Sequence, residues 1–248
     1  MTKVTLGCWF LIAIAPSLVF ALPPQPTVPG GIEPGLAVRA FKDLGSITLA
    51  AEAGALNETD GRDYRDIMLG GYYQLTENLS TGLFYERAYG LRHDDDWNKT
   101  TGTWSWADTN SRGEDLLIAD LTARFKVFES TVFEIKARYL DNLFNQNQTL
   151  FLRPGLTYFW LKDEQPFMNF FLQYEIDLPL NFDNEQVDER WLYLGALYRV
   201  MENVDVGGFY ALNWQAWHSS ADYLAKLGSP YTVTSTSAVI SALAIVHF

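Results

Sequence analysis

The stretch that decides the fold is the last one, Ser237 to Phe248: S-A-V-I-S-A-L-A-I-V-H-F. Ala238, Ile240, Ala242, Ala244, Val246 and Phe248 recur with a period of two, so in an extended chain they share one face, and that face is wholly apolar. A strand of this length rises roughly 40 Å, enough for a tilted strand to cross the hydrocarbon layer of a membrane. The chain ends on an aromatic residue.

The same period recurs upstream. Leu117, Ala119, Leu121, Ala123, Phe125 and Val127 alternate with Asp120, Thr122, Arg124 and Lys126; Phe133, Ile135, Ala137 and Tyr139 alternate with Glu134, Lys136 and Arg138. Further sets begin at Ile47, Ile67, Leu79, Leu150, Met168, Arg190 and Val204, which with the closing stretch predicts ten strands. Helices do not produce strict alternation over eight or more residues. The connections sort into two kinds. Short turns fall at Thr76–Asn78, Phe128–Ser130, Lys162–Pro166 and Met201–Asn203. Longer polar loops fall between them, at Asn57–Tyr64, Arg92–Arg112, Asp141–Gln148, Pro179–Asp188 and Trp217–Thr234.

Alternate apolar residues, a terminal Phe248 and short turns alternating with long loops resemble the bacterial outer-membrane β-barrels as a class. The resemblance implies an all-β, transmembrane, antiparallel up-and-down barrel of ten strands, with eight or twelve as alternatives, in the cell outer membrane. It also implies that Phe248 belongs to the signal read by the outer-membrane assembly machinery, and that lipid and lipopolysaccharide surround the barrel. An even strand count would place both termini in the periplasm. The competing reading is a soluble envelope sandwich or closed barrel, which also alternates. The charged face weighs against it, because a dry core does not hold ionised groups cheaply.

Three segments are expected. Residues 1–21 read as a signal peptide: Lys3 precedes an apolar run to Ala15, Pro16 breaks it, and Val19-Phe20-Ala21 ends it on small residues. Residues 22–45 read as an extended periplasmic lead-in: Leu22 to Pro34 carries Pro23, Pro24, Pro26, Pro29 and Pro34, and Gly35–Lys42, a possible further strand, joins the lead-in because counting it would give eleven. Residues 46–248 form the barrel. The single cysteine, Cys8, lies in the leader, so the exported chain would hold no disulfide or thiolate site.

Net charge is −12, and −13 once Lys3 leaves with the leader. That balance excludes a nucleic-acid partner, whose phosphates need a basic footprint. A composition that is 48% hydrophobic and 15% aromatic excludes an acidic disordered protein.

If the apolar face meets lipid, the other lines a lumen. Its expected lining is Glu52, Glu86, Asp120, Glu134, Glu175 and Asp177 beside Arg124, Lys126, Lys136, Arg138, Arg153 and Arg199. Side chains of both signs in a narrow barrel either pair across the lumen and pack it, or flank a narrow aqueous path for small solutes. The mixture of signs argues against strong ion selectivity, which uses rings of one sign.

No cofactor is expected, and catalysis is weakly signalled. His93, Asp94, Asp95 and Asp96 offer metal-ligating side chains in one loop, but without a fixed coordination spacing. Trp97, Trp104 and Trp106 in the same loop either flank a sugar or lipid site or form the cross-strand aromatic pair of a hairpin, and the alternation from Thr103 to Ala107 favours a strand extended above the membrane. Outer-membrane aspartyl-type proteases use acid and Asp–His pairs at the rim; His93 with Asp95 is similar, but no second pair accompanies it. Outer-membrane lipid A deacylases use His-x-Ser with a downstream Glu. His218 and Ser220 are similar to the first part, while no Glu follows Glu202. Neither nucleophile–base–orienter set is complete, so a rim hydrolase acting on lipid or peptide is an alternative, not the expected role.

Overall fold

The computed structural model describes residues 27–28, 30–59, 61–91, 97–98, 103–104, 108–181, 187–218 and 232–248. Eleven long strands follow one another: β1 Ile32–Asp43, β2 Ile47–Asn57, β3 Asp63–Thr76, β4 Leu79–Tyr89, β5 Gly113–Phe128, β6 Thr131–Asn142, β7 Gln148–Lys162, β8 Gln165–Pro179, β9 Val187–Met201, β10 Val204–His218 and β11 Thr232–His247. Each pairs antiparallel with the next, and β11 pairs with β1, so the sheet closes on itself as a barrel. Among the described residues no helix is long and apolar enough to cross a membrane, which says nothing of strands.

The count corrects the expected ten. Residues 32–43 fall in the expected lead-in and include Gly35–Lys42, the possible further strand that an even count excludes, yet they form β1, a full member of the wall. Pro34 is tolerated there because it sits near the start of the strand, in register with Ile240 of β11 but before the register with β2 begins at Gly35, and Gly35 lies against the Ser241 side chain of β11. The odd number has a geometric consequence. In a meander the first and eleventh strands run in the same direction, so the closing seam must be parallel. Ala238 faces Ile32 at one end of it and His247 faces Phe41 at the other. Parity therefore no longer puts both ends of the barrel strands on one side: β1 starts at the rim where β11 also starts, and both finish at the opposite rim.

The division of connections follows the expected pattern. Residues 44–46, 77–78, 129–130, 163–164 and 202–203 turn at one rim, and 58–62, 90–112, 143–147, 180–186 and 219–231 connect strands at the other. The turn at 163–164 has positive φ at both Asp163 and Glu164 (52° and 65°), the backbone twist a two-residue hairpin requires. In the longest connection Trp97 and Trp104 are register partners in a short antiparallel ladder. Thr27–Val28 adds a brief parallel ladder beside Thr234 and Ser235, at the long-loop rim.

The alternation sorts side chains as their two-residue period predicts. Leu36 and Val38 on β1, Leu49 on β2, Ile67 and Leu69 on β3, Leu83 on β4, Leu121 on β5, Leu156 on β7, Leu172 on β8, Leu194 on β9, Val206 on β10 and Ile240 on β11 all face outward and are exposed. Exposed Tyr73, Phe125, Tyr158, Trp160 and Tyr198 stand near the short-turn rim, and Trp214 nearer the other. Phe125 stacks on Phe133 and Tyr158 on Phe170 across neighbouring strands, with centroids 6.5 Å apart in both pairs.

The inner face is not purely charged. Met68, Phe84 and Ile118 form a buried apolar cluster on the β3–β5 wall, with Ala50, Tyr72 and Leu140 packed against it. Phe84 lies over Gly70 and Gly82, where an added Cβ would come within 2.5 and 2.6 Å of its ring. Two glycines thus make room for one ring, and that ring fills part of the bore.

Candidate functional site

The ion pairs of the interior lie along the wall. Arg39 and Glu52 are register partners on β1 and β2, joined by contacts of 2.9 and 3.0 Å. Arg138 and Asp120 are partners on β6 and β5, joined at 2.7 and 3.0 Å, with Lys136 3.6 Å from the same carboxylate. Arg124 reaches Glu134 at 2.7 Å and Arg199 reaches Asp205 at 2.9 Å, again between register partners. Arg153 on β7 donates to Glu175 on β8 at 2.6 Å. Pairing between adjacent strands satisfies each ion without spanning the bore. The expected pairing across the lumen is therefore replaced by pairing around it, because directly opposed positions on neighbouring strands are far closer than opposite walls.

Two hollows remain. The one toward the short turns holds about 460 Å³ and is bounded by Arg39, Glu52, Arg124, Glu134 and Lys136, among others. The one toward the long loops holds about 420 Å³ and is bounded by Glu58, Asn142, Glu175, Asp177, Glu189 and Gln215, among others. Leu56, Tyr64, Glu86, Arg138, Arg153, Trp191 and Tyr193 border both, and so form a waist between them. The waist is braced. Tyr64 donates to Glu86 at 3.0 Å, Tyr193 donates to Glu175 at 3.2 Å, and the Arg153 guanidinium lies 5.3 Å from the Tyr193 ring centroid.

Of the residues expected to line the lumen, Glu52, Glu86, Arg124, Glu134, Lys136, Arg138, Arg153, Glu175 and Asp177 border one or both hollows. Asp120 is buried behind Arg138. Lys126 is exposed near the short-turn rim, and Arg199 is held by Asp205 at that rim. Among the bordering groups not anticipated are Glu189, Trp191 and Tyr193. The run from Arg190 to Val200 names its outward face only, and the inward set became legible once register placed Glu189 opposite Asp177 and Trp191 opposite Glu175.

Most of the expected metal and hydrolase candidates are not among the described residues. His93, Asp94, Asp95, Asp96 and Ser220 fall outside the described residues, as do the leader and Cys8; His218 is described only as the last residue of β10. Among the described residues no group of three His, Cys, Asp or Glu side chains could hold a metal ion. No protein-family model matches this chain, and no curated protein does.

Proposed function

We propose that this chain is an integral outer-membrane β-barrel whose interior is a narrow polar passage for small solutes. The observation that carries the membrane assignment is the outward belt: exposed Leu, Ile, Val and aromatic side chains on ten of the eleven strands, with Phe133, Ile135 and Tyr139 half-buried on β6. A water-soluble monomer rarely exposes a continuous apolar patch beyond about 600 Å². Lipid removes that cost, and a closed barrel leaves no unsatisfied edge in the hydrocarbon.

In this reading the short turns face the periplasm and the long loops face out. Phe248, exposed and tied to the Phe41 carbonyl at 2.9 Å, stands at the periplasmic rim for the assembly machinery to read. Residues 1–21 act as the export signal and are removed. Lipopolysaccharide and lipid contact the belt.

Two hollows inside the wall that meet at a waist support the passage reading. The waist carries Arg138, Arg153 and Glu86, so it selects by size and hydrogen bonding more than by sign. The test joins two measurements. Export in a Gram-negative host with membrane fractionation and heat-modifiable gel migration should place the protein in the outer membrane as a folded barrel. Refolded protein in planar bilayers should then give small discrete conductance steps. Recovery in the soluble periplasmic fraction contradicts the membrane reading, and folded protein without conductance contradicts the passage.

A further inference from the structure

The long-loop hollow has a chemically lopsided wall. Asp177 on β8, Glu189 on β9 and Gln215 on β10 are successive register partners, so they form one inward row. Glu189 is held only by neutral donors: Asn213 Nδ2 and Gln215 Nε2 each approach one of its oxygens at 2.8 Å. The nearby Arg153 is committed to Glu175, and Arg138 to Asp120. Two carboxylates thus face one another across adjacent strands, with no salt bridge to either among the described residues.

A second observation points the same way. Gln215 is 5% exposed and borders the hollow, yet among the described residues no donor reaches its Oε1; the same holds for Oδ1 of Asp177. Buried acceptors without donors are costly, so this row is built for a donor that the protein does not itself supply. Around the row stand apolar and aromatic surfaces, including Phe151, Trp191, Leu140 and Pro179. The hollow is far larger than a bare metal ion, and both oxygens of Glu189 already accept amide hydrogens.

We infer that the Asp177–Glu189–Gln215 row binds the ammonium group of a small organic amine, whose apolar body lies against Phe151 and Trp191. An alkylammonium brings N–H donors and positive charge together, and aromatic faces attract the cation while accommodating the carbon chain. The inference deepens the passage reading by naming the class of solute that pauses there, and its test needs no conductance.

The probe is n-butylammonium chloride, with n-butanol and butyrate as its neutral and anionic counterparts, titrated calorimetrically into refolded full-length protein in detergent micelles. Saturable binding of the ammonium alone is expected. Asp177→Asn and Glu189→Gln should each weaken it by at least roughly tenfold, the worth of a hydrogen bond to a charged group. Asp141→Asn removes an outward carboxylate and should leave it unchanged, with heat-modifiable migration confirming that every variant is folded. Equal binding of n-butanol, an Asp177→Asn variant that binds like the parent, or no saturable binding to the parent each overturns the inference. The passage reading stands or falls separately, on the bilayer steps.

Discussion

Arg138 grips Asp120 with two parallel bonds, Nε to Oδ1 at 2.7 Å and Nη2 to Oδ2 at 3.0 Å, and the Asp120 side chain is fully shut from solvent. The pair joins β6 to β5 at the middle of the barrel wall and holds the Arg138 head at the waist. Its position explains why the charged inner face does not collapse into the bore: each strong cation is drawn sideways to its neighbour.

Breaking that pair should therefore be expensive. Arg138→Ala leaves a buried carboxylate with only Lys136 at 3.6 Å, and should cost about 3–5 kcal/mol. The double variant Asp120→Leu/Arg138→Leu should cost less than either single loss, since it removes both charges together. Urea unfolding followed by tryptophan fluorescence compares the three.

Leu83 is 69% exposed and points away from the bore. Leu83→Arg should cost about 2–4 kcal/mol if that side meets the middle of a bilayer, and only about 0.5 kcal/mol or less if it meets water. Unfolding from lipid vesicles measures which.

The parallel seam predicts its own cross-link. Val38 and Ala244 are register partners on β1 and β11, and the only cysteine, Cys8, lies in the expected leader. The pair Val38→Cys/Ala244→Cys should form an intramolecular bridge with a short thiol cross-linker, and the bridged barrel should resist unfolding in the gel. A ten-stranded barrel closing between β2 and β11 would leave those thiols unlinked.

At the waist, Tyr193 contributes a ring that borders both hollows. Tyr193→Ala should raise single-channel conductance several-fold while leaving Arg153 bound to Glu175. Unchanged conductance would mean that the narrowest point lies elsewhere.

Much of this fold is written in alternation that any reader of the chain can follow. The outward sets from Ile47 to Trp214 emerge as strands, and short and long connections fall at opposite rims, because a two-residue period and turn chemistry are local properties. The first strand is legible in part, since Gly35–Lys42 reads as a possible strand, but the parity of membrane barrels favours an even count. Only the seam with β11, a contact between the first and last strands, turns residues 32–43 into wall.

The site was legible as a list of charges and not as an arrangement. Sequence shows that Arg138 and Asp120 face inward, but their partnership depends on the register of β5 against β6. The apolar cluster of Met68, Phe84 and Ile118 was obscured because these residues occupy the face that elsewhere carries charge. The importance of Glu189 was likewise invisible until it stood between Asp177 and Gln215.

The central claim is that the greasy side of each strand looks out at lipid, and Leu83 and Phe84 test it most directly, since these neighbours on β4 are 69% and 2% exposed. A nitroxide attached through Leu83→Cys in protein reconstituted into lipid vesicles should collide readily with oxygen and hardly at all with a water-soluble nickel chelate. The same label through Phe84→Cys should be shielded from oxygen. A label at position 83 relaxed strongly by the nickel chelate and weakly by oxygen would contradict the account.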